Sequence, residues 1–186
     1  MKKNKNLNIP NLLAFIRLLL APAMFLFLVN QDASIFDGIH PSWLNYFAAF
    51  IFVLASATDF FDGYIARTFD QMTVMGQILD PLADKMLTLA GFLGLLVIGT
   101  ASPWAVFLII TRELFITGLR VSAVAEGIDI ASSWMGKVKT VVQMIAIGFL
   151  LMGWPLGSTL LWLATALTLY SGYEYVRDFF KKIAKE

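Results

Sequence analysis

Apolar runs long enough to cross a lipid bilayer recur along this chain, and they limit what it can fold into more than any other feature. From Leu12 to Val29 the only charged residue is Arg17. Further apolar stretches run from Trp43 to about Ala57, from Met86 to Ile98, from Pro103 to about Leu119, from Val138 to Met152 and from Leu160 to Val176. The third reaches back to about Asp80 if it is to attain membrane length. A helix needs about 20 residues to span roughly 30 Å of hydrocarbon, so six crossings take about 120 residues. In a chain of 186 residues, 59% apolar and only 15% charged, that leaves short loops and little else. The expected fold is all-α, a polytopic membrane protein with six transmembrane helices in a single domain over residues 1–186.

The first apolar run, preceded by Lys2, Lys3 and Lys5, has the outline of a secretory signal. Arg17 interrupts its apolar core and further apolar segments follow, so an uncleaved first membrane helix is the better reading, with Pro10 suited to its first turn. Lys and Arg then set the topology, because cytoplasmic segments carry the excess. Lys2, Lys3 and Lys5 precede the first helix, Arg67 lies between the second and third, and Arg120 and Lys137 flank the connection between the fourth and fifth. Arg177, Lys181, Lys182 and Lys185 follow the sixth, whereas the loops around Asn30–Ser42, Gly99–Ser102 and Gly153–Ser158 hold no Lys or Arg. Both termini are expected on the cytoplasmic side, with Trp43, Trp104 and Trp154 near the opposite interface. Gly99 to Pro103 and Gly153 to Gly157 read as tight uncharged turns.

Cysteine is absent, which removes disulfides, thiolate nucleophiles and sulfur-bound metals. His40 is the single histidine and cannot form a His cluster. A formal net charge of +1 argues against a broad nucleic-acid-binding surface.

The chemistry is concentrated between Asp59 and Asp84. Asp59 and Asp62 are three residues apart, and Asp80 and Asp84 four, so each pair shares one face of its helix. Carboxylates near hydrocarbon are costly, and four on neighbouring helices repel one another unless positive charge compensates. Arg67 and Lys85 can each neutralise part. An oxygen-only ligand set suits a hard divalent ion such as Mg²⁺ or Mn²⁺, and four carboxylates can hold a pair of ions. Gly63 and Ala66 beside the first acid pair, and Gly76 before the second, leave room for a substrate's phosphates. A lone membrane Asp often serves as a structural hydrogen-bond partner, and membrane glycines such as Gly91 and Gly94 usually serve packing. Four acids at these spacings together with Arg67 favour a functional metal site.

The pattern Asp59-x2-Asp62-Gly63-x2-Ala66-Arg67-x8-Gly76-x3-Asp80-x3-Asp84 resembles, without departure, the signature of the CDP-alcohol phosphotransferases, integral membrane enzymes that make phospholipids. The resemblance covers most of the chain and implies the same six-helix architecture. Three further motifs resemble the branch of that family whose acceptor is glycerol phosphate. They are Asn8-Ile9-Pro10-Asn11-Leu12-Leu13-Ala14-Phe15-Ile16-Arg17, Arg112-Glu113 with Leu119-Arg120, and Gly136-Lys137-Val138-Lys139-Thr140 with Gln143. Ala14 departs from the Thr usual at that position, so no polar contact is expected there.

The resemblance implies a donor, CDP-diacylglycerol, and an acceptor, sn-glycerol 3-phosphate, joined by a single in-line displacement that releases CMP. It implies that Asp59, Asp62, Asp80 and Asp84 hold the metal, Mg²⁺ or Mn²⁺ and two ions, and that Asp84 is also the base for the acceptor hydroxyl. Asn11, Gly63, Ala66, Arg67 and Gly76 would border CDP-diacylglycerol. Arg112, Arg120, Lys137, Lys139 and Arg177 would serve the acceptor's phosphate, Arg120, Lys137 and Arg177 forming most of that pocket. For Arg112 an intramembrane pair with Glu113 or another acid is the equal alternative. Lys181, Lys182 and Lys185 are read as obeying the positive-inside rule alone. The resemblance further implies a homodimer in a bacterial cytoplasmic membrane, its active site facing the cytoplasm.

Two other classes compete. An ion or proton transporter would explain intramembrane acids but not the fixed spacing of Gly63, Ala66, Arg67 and Gly76, and no internal repeat is evident. A membrane prenyltransferase also holds a diphosphate through metal-bound aspartates, with different aspartate spacing. Within the resembled family, inositol phosphate, inositol, serine and phosphatidylglycerol are the alternative acceptors, and the basic residues favour a phosphorylated one.

Overall fold

A computed structural model describes residues 9–68, 73–125 and 134–183, with side chains left out for residues 59–68 and a few others. Lys2, Lys3, Lys5 and Lys185 lie outside the described residues. The chain forms α1 (Ile9–Val29), a 3-10 turn at Ser34–Phe36, α2 (Pro41–Thr68), α3 (Val74–Val97), α4 (Pro103–Ala125), α5 (Trp134–Leu151) and α6 (Gly157–Ile183). Among the described residues there is no strand, and each of the expected apolar stretches falls on a helix, those ending at Ile98 and Met152 running one residue past it. Among the described residues, three segments suit a membrane crossing by length and composition: Pro10–Val29, Pro41–Thr58 and Trp134–Leu151. The other helices hold charges or polar residues along their length, among them Asp80, Asp84 and Lys85 on α3 and Arg112 and Glu113 on α4.

The helices fall into two compact units, one built on α1, α2 and α3, the other on α4, α6 and most of α5. In the first, α1 packs against both α2 and α3. Its buried stripe is Asn11, Ala14, Arg17, Ala21, Met24 and Leu28, at helical spacing, while Leu12, Phe15, Leu19 and Leu26 are exposed, as on a helix with lipid around it. Small residues let the backbones approach closely. Gly94 shows this directly, since a Cβ there would come within 2.4 Å of Leu28 Cδ1, so the packing reading of this glycine holds.

α1 and α3 meet in register. Asn11 lies against Thr73 and Gly76, Arg17 against Asp84, and Leu28 against Gly94. Contacts that advance together along both chains mean that the two helices run parallel and begin at the same end. Thr73 caps α3, its hydroxyl accepting from the Gly76 amide at 3.0 Å while donating to Asn11 Oδ1 at 3.0 Å. α3 then continues through Pro81 without a break, and ends where the Ile98 and Gly99 amides bond back to Gly94 and Leu96. Gly99 (φ 73°) and Gly153 (φ 64°) adopt the left-handed conformation that the two expected tight turns require.

In the second unit α4 packs on α6. The Gln143 amide of α5 donates to Thr168 Oγ1 of α6 at 2.8 Å, both side chains buried. Arg112 lies so close to α6 that a Cβ on Gly172 would come within 3.0 Å of its Nε.

Candidate active site

The second acid pair sits on α3 as its spacing requires, Asp80 and Asp84 one turn apart with Pro81 between them. Both residues are partly accessible, although Asp80 Oδ1 itself is buried. One turn before Asp80, Gly76 faces a crowded corner: a Cβ there would lie 2.7 Å from Asn11 Oδ1, 3.3 Å from Thr73 Oγ1 and 3.8 Å from Asp80 Oδ2. Gly76 therefore lets the α3 backbone and Asn11 approach more closely than a side chain would permit, while Asp80 Oδ2, one turn on, lies at ordinary contact distance. Of the residues expected beside the donor, Asn11 and Gly76 are thus assembled with Asp80.

Asp59, Asp62, Gly63, Ala66 and Arg67 lie on α2, which packs against α3. Their side chains fall outside the described residues. Among the described residues no group of three or more His, Cys, Asp and Glu gathers. The contribution of α2 to a metal centre accordingly rests on the sequence.

A participant not assigned a role from the sequence is Arg17. Its guanidinium is fully buried on α1, and Nη1 donates to Asp84 Oδ1. The Asp84 side chain stays 37% exposed, so one end of the pair is sealed inside the helices and the other opens outward. The lone charge in an otherwise apolar run was the available signal, and its partner lies 67 residues away. The Thr73 hydroxyl was missed too, because a helix cap that bonds to a second helix is invisible until both are placed.

The basic residues of the second unit separate into two kinds. Arg112 Nη1 donates to Glu113 Oε1 at 3.3 Å and Nη2 to Ser171 Oγ at 2.7 Å, and Lys139 Nζ also donates to Glu113 Oε1. One carboxylate on α4 thus gathers a cation from its own helix and another from α5, both of them largely buried. Of the alternatives open for Arg112, the ion pair with Glu113 is present. Arg112 Nε, Glu174 Oε2 and Tyr175 Oη are buried without a hydrogen-bond partner among the described residues. The second kind is exposed. Arg120 lies over the Tyr175 ring at 5.8 Å from its centroid, a cation–π distance. Lys137 is exposed near the start of α5. Arg177 donates to Asp178 through Nε at 3.1 Å and Nη2 at 3.0 Å, and that hydrogen bond together with the Asp178 charge raises its pKa. Lys181 and Lys182 are exposed in the last turn of α6.

Comparison with known proteins bears on this arrangement. The family model for CDP-alcohol phosphatidyltransferases matches residues 7–170, which include the acid segment, Arg17 and the Arg112–Glu113–Lys139 group. A CDP-diacylglycerol–glycerol-3-phosphate 3-phosphatidyltransferase of Bacillus subtilis is 36% identical over 180 residues, covering 90% of this chain and 93% of its own. A protein of the same name from Cereibacter sphaeroides is 31% identical over 218 residues, covering 92% and 95%. A probable phosphatidylglycerophosphate synthase of Mycobacterium tuberculosis is 37% identical over 176 residues, covering 91% and 80%.

Proposed function

We propose that this chain, which belongs to the CDP-alcohol phosphatidyltransferase family, transfers the phosphatidyl group of CDP-diacylglycerol to sn-glycerol 3-phosphate, giving phosphatidylglycerophosphate and CMP. The observation that carries this reading is Asp80 and Asp84 on one face of α3, with Asn11 of α1 packed closely on Gly76 one turn before Asp80.

The residues fit a divalent metal. Asp80 and Asp84 offer only oxygen, one helical turn apart on α3. With Asp59 and Asp62 from α2 they would hold two ions, Mg²⁺ or Mn²⁺. When bound, such ions supply charge neutralisation of the diphosphate and make CMP a better leaving group.

The chain's own groups do the rest. Asp84 takes the proton of the acceptor hydroxyl as its oxygen bonds to the phosphatidyl phosphorus, and the bond from that phosphorus to the CMP phosphate oxygen breaks in line. CMP leaves with the electron pair, and configuration at phosphorus inverts. Arg67 adds fixed positive charge toward the diphosphate, while Asn11, Gly63, Ala66 and Gly76 shape its seat. Arg112 and Lys139, held by Glu113, and Arg120, Lys137 and Arg177 bind the acceptor's phosphate. Arg112 and Lys139 are largely buried, and cations held in such a partly dry site bind phosphate far better than the same charges in water.

Residues 1–186 act as one domain that crosses a bacterial cytoplasmic membrane six times, with both termini and the active site on the cytoplasmic side. The parallel register of α1 and α3 supports a shared side for the two acid-site edges, Asn11 and Gly76, which both lie near helix starts. The enzyme works as a homodimer.

The test is CMP release by the purified protein in detergent. Release is expected only with CDP-diacylglycerol, glycerol 3-phosphate and Mg²⁺ or Mn²⁺ together, and it should stop on chelation and return with added metal. Release without acceptor, full activity after exhaustive chelation, or a preference for serine, inositol or inositol phosphate overturns the corresponding part.

A further inference from the structure

α1 contributes two buried polar side chains to its interface with α3, and they reach the two ends of the acid segment. Asn11 meets Gly76, and Arg17 meets Asp84. Between them Ala14 is fully buried, and after them Ala21 is too, so close packing of these helices is already supplied by small residues. A fully buried guanidinium adds nothing that packing needs and is costly to desolvate. What it does add is a buried, always-charged donor whose Nη1 bonds one named oxygen of Asp84.

We infer that Arg17 is a positioning residue that holds the Asp84 carboxylate in its working orientation. The inference deepens the proposed function and rests on the roles assigned there to Asp84. Arg17 does not touch substrate; it acts through Asp84. The Asp84 side chain is partly open to the outside. Arg17 meets it from across the interface, on a helix that starts alongside α3 and is tied to it at Asn11, Thr73 and Gly76.

The experiment uses the full chain in detergent with Arg17→Met and Arg17→Lys. Misplacing a reacting group by about 1 Å costs on the order of 100-fold, so Arg17→Met is expected to lower kcat about 100-fold with both KM values within about threefold. Arg17→Lys, which keeps the charge but not the planar guanidinium, is expected to recover about tenfold of that loss. A second readout needs no turnover: Mn²⁺ affinity by electron paramagnetic resonance, without substrates. Charge alone predicts tighter Mn²⁺ when a cation beside acids is removed. Loss of carboxylate alignment predicts the opposite, about tenfold weaker binding, and an effect below about twofold when Asp84 is already Asn.

Unchanged kcat in Arg17→Met, tighter Mn²⁺ binding, or equal weakening in the Asp84→Asn background would each overturn the positioning role. Should Arg17→Met fail to fold, Arg17→Lys carries the same readings at smaller amplitude. Should the wild-type protein bind Mn²⁺ but release no CMP, the proposed function fails while the Mn²⁺ measurements still decide the role of Arg17.

Discussion

Gly76 shows how far a single residue can set the chemistry at this site. In a helix interior Ala is favoured over Gly by about 0.5–1 kcal/mol, so propensity alone would favour Gly76→Ala. The contact geometry opposes it, since the new Cβ would sit 2.7 Å from Asn11 Oδ1 and the buried Asn11 amide would have to move. Gly76→Ala is expected to leave the thermal unfolding temperature within a few degrees while kcat/KM for CDP-diacylglycerol falls about tenfold. The KM for glycerol 3-phosphate should not change. Steady-state kinetics with each substrate varied in turn checks this, and an unaltered donor kcat/KM would remove Asn11 from the donor's seat. The spacing in the sequence marked Gly76 and Asn11 separately, by resemblance; that they touch required the fold. Arg17 illustrates the same limit more sharply. Its charge was legible as an interruption of an apolar run, but a partner on another helix was not.

At the level of elements, the α1–α3 interface decides where the acid segment stands. Gly94 packs closely on Leu28 there, since a Cβ on Gly94 would be only 3.0 Å from Leu28 Cβ and closer still to Cδ1. Overpacking of this kind typically costs about 1–3 kcal/mol, so Gly94→Ala is expected to lower the unfolding temperature in detergent by several degrees. Because the clash is with one side chain, Gly94→Ala with Leu28→Ala should be more stable than the sum of the single effects predicts. Strict additivity in that cycle would mean that the two helices do not meet there. The helices themselves were plain in the sequence, because an apolar run near a membrane has little alternative to satisfying its backbone internally. Helix ends were less so. α3 begins at Val74, well before its apolar stretch, because Thr73 supplies a cap, and α6 runs on to Ile183 through charged turns.

For the molecule as a whole, the distribution of Lys and Arg carries the topological prediction. The chain has no cysteine, so single substitutions report without background. Asp37→Cys and Lys182→Cys, both at exposed positions, should react with a membrane-impermeant maleimide from opposite sides of sealed vesicles. Labelling of both from one side would contradict the arrangement with cytoplasmic termini. What the sequence determined unaided is the set of helices, their apolar character and the one-face placement of Asp80 and Asp84, because these follow from periodicity and local geometry within one segment. Only the tertiary structure decided which charges meet: Arg17 with Asp84, and Arg112 and Lys139 on a shared Glu113. The physical reason is that a buried charge must find its counterpart in space, and helix packing rather than chain order brings distant side chains within reach.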